Sequence, residues 1–173
     1  MQHTILFICT GNVCRSPMAE GLFKNLVDQN KADLIVISAG VGAQNGHSPS
    51  ENAIRAMQDL DIDISPQRSM MMTAALASEA DMIIGMTHGH IEMVNLMFPH
   101  TAEKTFLLRE FDDSLPLHER EIADPLGGSL EIYRQCRDQI REGIDSLLES
   151  IQKNNGFALG QASPVMEMAL GAD

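Results

Sequence analysis

Short apolar runs alternate with longer stretches of helical periodicity along most of this chain. The runs that predict buried strands cover residues 4–8, 34–37, 81–86 and 105–108. Between and after them, apolar side chains recur three and four positions apart, as they do on one face of a helix. The stretches with this spacing cover residues 17–29, 50–60, 73–77, 90–97 and 129–151. Strands that alternate with helices predict a parallel sheet joined by right-handed crossovers.

Serine residues mark three of the predicted helix starts. Ser16, which precedes Pro17, can accept a hydrogen bond from a free amide of the first helical turn, and so can Ser50 and Ser129. The last helix has the longest apolar stripe, and we expect this stripe to face the core. Its members are Ile132, Tyr133, Cys136, Ile140, Ile144, Leu147, Leu148 and Ile151.

The loops that follow the four strands are the expected place for a ligand. In open parallel sheets, ligands bind outside the carboxyl ends of the strands. The loops after residue 8, Ser38, Met86 and Leu108 all lie at such ends. We therefore expect these loops to line one cleft.

Composition limits the class of protein and the partners. The 173 residues are 44% hydrophobic and 21% charged, as in a soluble globular domain, and the net charge is −12. This negative charge argues against nucleic acid and anionic membranes as partners. The three cysteines do not suggest a disulfide framework, and the sequence contains neither a signal peptide nor a membrane span, so we expect a cytoplasmic protein.

The loop after the first strand carries the strongest chemical signal. Five residues separate Cys9 from Arg15 in the segment between an apolar run and a helical stretch. A loop of this length can surround a phosphate with backbone N–H groups at a helix N-terminus, and Arg15 can add a bidentate contact. The same positive field would favour the thiolate form of Cys9 as a nucleophile, and Gly11 and Asn12 both tolerate left-handed backbone. Without this chemistry, Cys9 would be a buried strand-end residue and Arg15 a surface charge.

The run C-T-G-N-V-C-R-S-P resembles the signature loop of the low-molecular-weight protein tyrosine phosphatases, over a similarity that spans about residues 3–152. The resemblance implies a single-domain α/β three-layer sandwich over residues 1–153, with a four-stranded parallel sheet of order 2-1-3-4, helices on both faces and a tail at residues 154–173. It implies a phosphate-binding loop, a Ser16 hydroxyl that donates to the Cys9 sulfur, and Ser38 as the partner of Asn12. The loop residues are Thr10, Gly11, Asn12, Val13 and Cys14.

A carboxylic acid on the far side of the phosphate would complete the chemistry. Asp124, followed by Pro125, resembles the general-acid loop of the same family, although an isolated Asp-Pro pair is more often a turn. Cys9 would attack the phosphorus while Asp124 protonates the leaving group, and water would then hydrolyse the phosphocysteine. This scheme needs neither metal nor cofactor. His88 and His90 are expected at the rim of the cleft rather than as metal ligands.

The substrate is expected to be a phosphorylated protein or peptide, and inorganic phosphate the product. Val13, an apolar residue in the loop, favours phosphotyrosine. The stretches 86–90 and 124–129 instead look like the bacterial protein arginine phosphatase branch of the family, and the chain has no Trp and a single Tyr to wall an aromatic slot. Phosphoarginine is therefore the alternative substrate.

Other interpretations remain open at this point. An arsenate reductase shares the loop but needs two further cysteines, whereas this chain has only Cys136 outside it. A non-catalytic phosphate-binding module would predict loss of the thiol or the acid. Cys14 can serve packing or form a reversible disulfide with Cys9. The tail at 154–173 is either partly ordered or a short docked helix.

Overall fold

The sheet is the centre of the fold. The computed structural model of the chain describes residues 3–27 and 34–153. In these ranges the four predicted strands form one parallel sheet of order β2-β1-β3-β4, which confirms the expected topology. The strands are β1 (His3–Cys9), β2 (Leu34–Gly40), β3 (Met82–Gly85) and β4 (Thr105–Leu107).

Helices connect the strands and follow the last one. The α-helices are α1 (Arg15–Leu26), α2 (Glu51–Gln58), α3 (Ala74–Glu79), α4 (His88–Met97) and α5 (Leu130–Lys153). Short 3-10 helices cover Pro99–Lys104, Leu108–Phe111 and Leu117–Glu119. Two of these, Leu108–Phe111 and Leu117–Glu119, fall wholly or mostly within residues 109–122, where the sequence predicted only a polar loop.

Side chains of β1 alternate between two cores, one on each face of the sheet. Ile5, Phe7 and Cys9 pack with residues of α1, α2 and α5. Leu6 and Ile8 pack on the opposite face with residues of α3 and α4. Because successive strand side chains point to opposite faces, a continuous apolar run is what a strand between two helical layers requires. This arrangement confirms the three-layer architecture and directs the Cys9 side chain toward α1 and α5.

Strand ends differ from the predicted ones for local reasons. β2 continues past residue 37 to Gly40, because Gly40 is still paired with Cys9. β3 is shorter than predicted at both ends and begins at Met82. β4 stops at Leu107, whose N–H donates to the Glu110 carboxylate as the 3-10 helix begins.

Two expectations for individual side chains are wrong. Ser16 is not a helix cap: α1 begins at Arg15, and the Ser16 hydroxyl is buried and bonded elsewhere. Ile132 does not face the core, because its position on α5 leaves it 47% exposed. Ser50 and Ser129 do accept bonds from first-turn amides, at 3.4 Å each, as the sequence predicted.

None of the helices within residues 3–27 and 34–153 has the length and apolarity needed to cross a bilayer. The predicted end of the first helix, at residues 28 and 29, and the tail at 154–173 lie outside the described residues.

Candidate active site

A pocket lies at the carboxyl end of β1, as the sequence predicted, but the loops after Ser38 and Met86 that were expected to line it contribute none of its lining residues. Its lining combines the thiol, the guanidinium and the acid that were predicted from distant parts of the chain. The residues that line it are Cys9, Thr10, Gly11, Val13, Cys14, Arg15, Asp124 and Leu126. The fold therefore brings Asp124 to the loop that carries Cys9.

The backbone of the loop between β1 and α1 turns its carbonyl groups outward. The carbonyl oxygens of Cys9, Thr10 and Val13 accept bonds from the N–H groups of Val41, Gly42 and Ser50, at 3.0, 2.9 and 2.8 Å. In a trans peptide, the N–H of the following residue points opposite to the carbonyl oxygen. The described residues contain no cis peptide. The amides of Thr10, Gly11 and Cys14 consequently face the interior of the loop, which is the arrangement of an anion-binding nest.

Asn12 allows the loop its tight turn. Its φ is +54°, in the left-handed region that asparagine tolerates better than most residues. Gly11, which also tolerates left-handed backbone, does not adopt it: the glycines with positive φ in the described ranges are Gly46 and Gly127.

The Asn12 side chain connects the loop to β2 and to the segment before α3. Its Nδ2 donates to the hydroxyls of Ser16 at 2.8 Å and Ser38 at 2.9 Å. Its Oδ1 accepts the N–H of Met70 at 2.8 Å. Ser38 in turn donates to the Glu20 carboxylate at 2.6 Å, and Lys24 binds the other oxygen of Glu20. Asn12 is 2% exposed, so these contacts are shielded from water and hold the loop in one shape.

Ser16 lies directly beside the sulfur of Cys9. Its Oγ is 3.0 Å from Cys9 Sγ. Because the Ser16 oxygen accepts the Asn12 amide proton, its own hydrogen can point either to the sulfur or to the carbonyl of Ala39, which is farther away at 3.4 Å. Ser16 can thus donate to a Cys9 thiolate.

Arg15 is a buried cation with donors in three directions. The residue is 4% exposed; its Nη1 donates to the Ile122 carbonyl at 3.0 Å, and its Nη2 lies 3.2 Å from Asp124 Oδ2. Its Nε is buried without a hydrogen-bond partner among the described residues. A buried donor without a partner costs free energy of folding. An oxygen-rich anion in this pocket could accept a hydrogen bond from this Nε and would be stabilised by it.

Asp124 lies on the segment between the last 3-10 helix and α5. Its side chain is 46% exposed, one oxygen faces Arg15, and the other accepts the N–H of Leu126 at 3.2 Å. Pro125 behind it is buried, and Leu126 is 67% exposed at the mouth of the pocket. The carboxyl group therefore lies at the open side of the pocket, opposite the loop.

The sulfur of Cys14, which also lines the pocket, belongs to a small polar cluster. Its sulfur lies 3.3 Å from the Tyr133 hydroxyl and 3.4 Å from that of Ser50. Burial raises the pKa of the Cys14 thiol against the effect of these two bonds, and burial together with the Cys14 contact raises the pKa of Tyr133 to about 12. Both groups therefore stay protonated at neutral pH.

The similarity of this chain to known proteins covers most of its length. The sequence profile described as low molecular weight phosphotyrosine protein phosphatase matches residues 4–156. This chain belongs to that family. Its members are cysteine-dependent phosphatases that act on phosphorylated proteins.

Similar relatives include enzymes with two different names. The protein-arginine-phosphatase of Bacillus subtilis strain 168 is 35% identical over 150 residues, which are 87% of this chain and 97% of the relative. A probable low molecular weight protein-tyrosine-phosphatase, EpsP of Ralstonia nicotianae, is 33% identical over 152 residues, or 88% and 98% of the two chains. The solved structure of the YwlE arginine phosphatase of Geobacillus stearothermophilus has a TM-score of 0.79 at 37% identity and covers 88% of this chain and 95% of its own.

Several residues that support the pocket of this phosphatase were not predicted, or were wrongly placed, from the sequence. Glu20 lies one helical turn beyond Ser16, and that spacing was the available signal for its place beside the loop. His90 was expected at the rim of the cleft, but it is 5% exposed and its Nε2 lies 3.0 Å from Thr10 Oγ1. Burial, with the Arg15 charge as a second cause, lowers the pKa of His90 to about 4, so the ring is neutral. Glu121 accepts the N–H of His88 at 2.7 Å, and no local pattern pointed to that bond.

The third cysteine of the phosphatase is a core residue. Cys136 is 5% exposed on α5, and burial raises the pKa of its thiol to about 12. All three cysteines are free thiols. Residues 3–27 and 34–153 contain no cluster of three His, Cys, Asp or Glu side chains that could hold a metal ion.

Proposed function

We propose that this phosphatase hydrolyses phosphotyrosine in proteins or peptides through a phosphocysteine formed at Cys9. The observation that carries the proposal is the meeting of Cys9, Arg15 and Asp124 in one pocket, where the buried Arg15 Nε has no hydrogen-bond partner in the described part of the chain. The phosphate would sit in the loop of residues 10–14, bound by backbone N–H groups and by Arg15. No metal or cofactor takes part in this scheme.

In the first step, the Cys9 thiolate attacks phosphorus in line with the leaving oxygen. A sulfur–phosphorus bond forms, the bond from phosphorus to the leaving oxygen breaks, and the proton of Asp124 moves to that oxygen. The Ser16 hydroxyl, 3.0 Å from the sulfur, stabilises the thiolate before attack. Arg15 and the loop amides stabilise the charge on the other phosphate oxygens, and each such preorganised donor contributes about 3–4 kcal/mol.

In the second step, water attacks the phosphocysteine from the side on which the leaving group departed. Asp124, now a carboxylate, takes the proton of the water, the sulfur–phosphorus bond breaks, and Cys9 returns to the thiolate. The product is inorganic phosphate. The half-exposed position of Asp124 at the pocket mouth supports both roles, because substrate oxygen and water approach from that side.

The walls of the pocket support an aryl phosphate as substrate. Val13 and Leu126 are the apolar side chains at its mouth, and neither can hydrogen-bond a guanidinium. Phosphoarginine is the second candidate, because among the described residues that line the pocket none has an aromatic ring, and because the relatives named protein-arginine-phosphatase are 35% and 38% identical. Asp124 would then bind the charged guanidinium as well as supply the proton.

The proposal also covers the domain boundaries, the partners and the cellular compartment of the enzyme. We propose residues 1–153 as the catalytic domain and residues 154–173 as a tail, a division supported by the family match, which ends at residue 156. The net charge of −12 disfavours nucleic acid and anionic membranes as partners. A nucleophile that works as a thiolate beside a second cysteine favours the reducing cytoplasm.

The proposal is tested by trapping the covalent intermediate. Wild-type protein should hydrolyse p-nitrophenyl phosphate, lose this activity with vanadate, and yield an acid-quenched phosphoenzyme by mass spectrometry. Cys9→Ser should still bind inorganic phosphate, with turnover lower by more than about 10⁴-fold. Cys136→Ala removes a thiol outside the pocket and is the matched control, expected to keep turnover.

Two outcomes would contradict the proposal. Turnover of Cys9→Ser near the wild-type rate would remove Cys9 as nucleophile. Oxidation of thiols that depends on arsenate, without phosphate release, would indicate an arsenate reductase instead. Initial rates on one peptide carrying phosphotyrosine or phosphoarginine then separate the two candidate substrates.

A further inference from the structure

The first turn of α4, residues 87–90, contacts both loops that meet at the pocket. We propose that His90 and Glu121 are positioning residues that hold the phosphate loop and the general-acid segment at a fixed separation through this turn. The inference rests on the proposed function, because it assigns the two contacts a purpose in the reaction of Cys9 and Asp124.

His90 makes the contact to the phosphate loop. The N–H of Thr87 donates to His90 Nδ1 at 3.2 Å, so this ring nitrogen is an acceptor. The neutral ring therefore has its proton on Nε2, which donates to Thr10 Oγ1 at 3.0 Å. The backbone N–H of His90 returns to Thr87 Oγ1 at 3.3 Å, closing a reciprocal cap that fixes the ring on the helix. The Thr10 hydroxyl is thereby held with its own hydrogen free for the pocket, which Thr10 lines.

Glu121 makes the contact to the general-acid segment. Its Oε1 accepts the N–H of His88 at 2.7 Å, at the N-terminus of α4, where a carboxylate is favoured by the helix dipole. The next residue, Ile122, donates its N–H to the Met86 carbonyl at 2.9 Å. Residues 121 and 122 are therefore bonded to residues 86–88 on one side, while the Ile122 carbonyl accepts Arg15 on the other.

The two contacts have different expected roles in catalysis. Asp124 is three residues after Glu121, and its half-exposed side chain contacts the Arg15 guanidinium and the Leu126 N–H, so its position also depends on where the backbone of its segment lies. Small displacements of an acid from the leaving oxygen slow proton transfer, which matters most when the leaving group is a poor one. Thr10 instead belongs to the loop that binds phosphate. Loss of the Glu121 contact should therefore affect proton donation, and loss of the His90 contact should affect phosphate binding.

The test compares aryl phosphates whose phenols differ in acidity. Glu121→Ala should lower kcat for phenyl phosphate by about tenfold or more, and that for p-nitrophenyl phosphate by less than about threefold. Glu121→Gln keeps an oxygen that can accept the His88 amide and should restore both rates. Glu119→Ala removes an exposed carboxylate from the same segment, so it has the same charge change as Glu121→Ala and should act like wild type.

The His90 arm uses inorganic phosphate as the probe. His90→Ala should weaken competitive inhibition by phosphate by about tenfold and lower kcat/KM for all aryl phosphates by a similar factor. The inference is overturned if Glu121→Ala lowers kcat equally for good and poor leaving groups, or lowers it for neither, even if Cys9 is essential. Because the Glu121 side chain is exposed, this variant is expected to fold, and circular dichroism verifies it. Failure of the proposed function itself would appear separately, as turnover in Cys9→Ser.

Discussion

Asp124 Oδ2 lies 3.2 Å from Arg15 Nη2, although one residue is half-exposed and the other is 4% exposed. The buried guanidinium thus reaches the acid at the mouth of the pocket as well as the Ile122 carbonyl behind it. A phosphate oxygen could accept a hydrogen bond from the unpaired Nε of this guanidinium, which these contacts already hold in position. One side chain therefore connects the loop that carries Cys9 with the segment that carries Asp124, and in the proposed reaction it also binds the substrate.

The substitution Arg15→Lys tests the role of the guanidinium. A lysine keeps the charge but cannot bind the Ile122 carbonyl, Asp124 and a phosphate in fixed directions at once. We expect kcat/KM for p-nitrophenyl phosphate to fall by about 10²-fold or more. Arg68→Lys, at an exposed arginine whose contacts are local, is the control. A loss of less than about threefold at position 15 would contradict the role given to the guanidinium.

Val13→Thr tests the choice between the two substrates. Threonine has nearly the shape of valine but adds a hydroxyl at the half-buried wall of the pocket, where it can contact a guanidinium. We expect the ratio of turnover on phosphoarginine and phosphotyrosine peptides to shift toward phosphoarginine. Val13→Ile adds volume without a hydroxyl and should not produce this shift. A ratio that changes by less than about twofold in Val13→Thr would count against Val13 as a determinant.

Gly40→Ala tests how closely β2 supports the loop. A Cβ on Gly40 would lie 2.5 Å from the Thr10 carbonyl oxygen and 2.9 Å from the Asn12 nitrogen. Both are backbone atoms of the phosphate loop, so relief requires the loop to move. We expect the free energy of unfolding in urea to fall by about 1–3 kcal/mol and inhibition by phosphate to weaken.

Gly42→Ala is the matched control, because the nearest atom to its Cβ is the Thr10 oxygen at an ordinary 3.8 Å. Wild-type stability and phosphate inhibition in Gly40→Ala would mean that the loop adapts freely.

His90 predicts a pH dependence of stability. Its pKa in the folded chain is about 4, against 6.5 for an unperturbed histidine, because of burial and the Arg15 charge, opposed in part by Asp124 and Glu121. Between these values the unfolded chain binds a proton that the folded chain does not, so His90 lowers stability as the pH falls from about 6.5 to 4. His90→Gln should make the urea midpoint less dependent on pH in this window.

His100→Gln, at an exposed histidine, should leave that slope unchanged. The same slope in His90→Gln and wild type between pH 6.5 and 4 would contradict the neutral, buried state of the His90 ring.

Local patterns predicted more of the fold than of the site. The apolar run at residues 5–8 predicted a strand buried on both faces, and its residues divide between two cores as such a strand must. The predicted start of the first helix, with Ser16 as its cap, is two residues later than the observed one, and the Ser16 hydroxyl does not act as a cap. A cap is a property of neighbours in sequence, whereas the partners of Ser16 include the Ala39 carbonyl, which only the folded sheet brings near.

The sequence by itself determined the loop that carries Cys9, because Cys9, Asn12, Arg15 and Ser16 are close enough along the chain for their spacing to set their geometry. The family resemblance implied that Asp124 and Ser38 belong near that loop, but only the tertiary structure decided the contacts: Asp124 against Arg15, His90 against Thr10, and Ser38 between Asn12 and Glu20. The physical reason is that strand pairing and crossover packing bring these groups together. Such contacts depend on the whole sheet and leave no periodicity in the residues that make them.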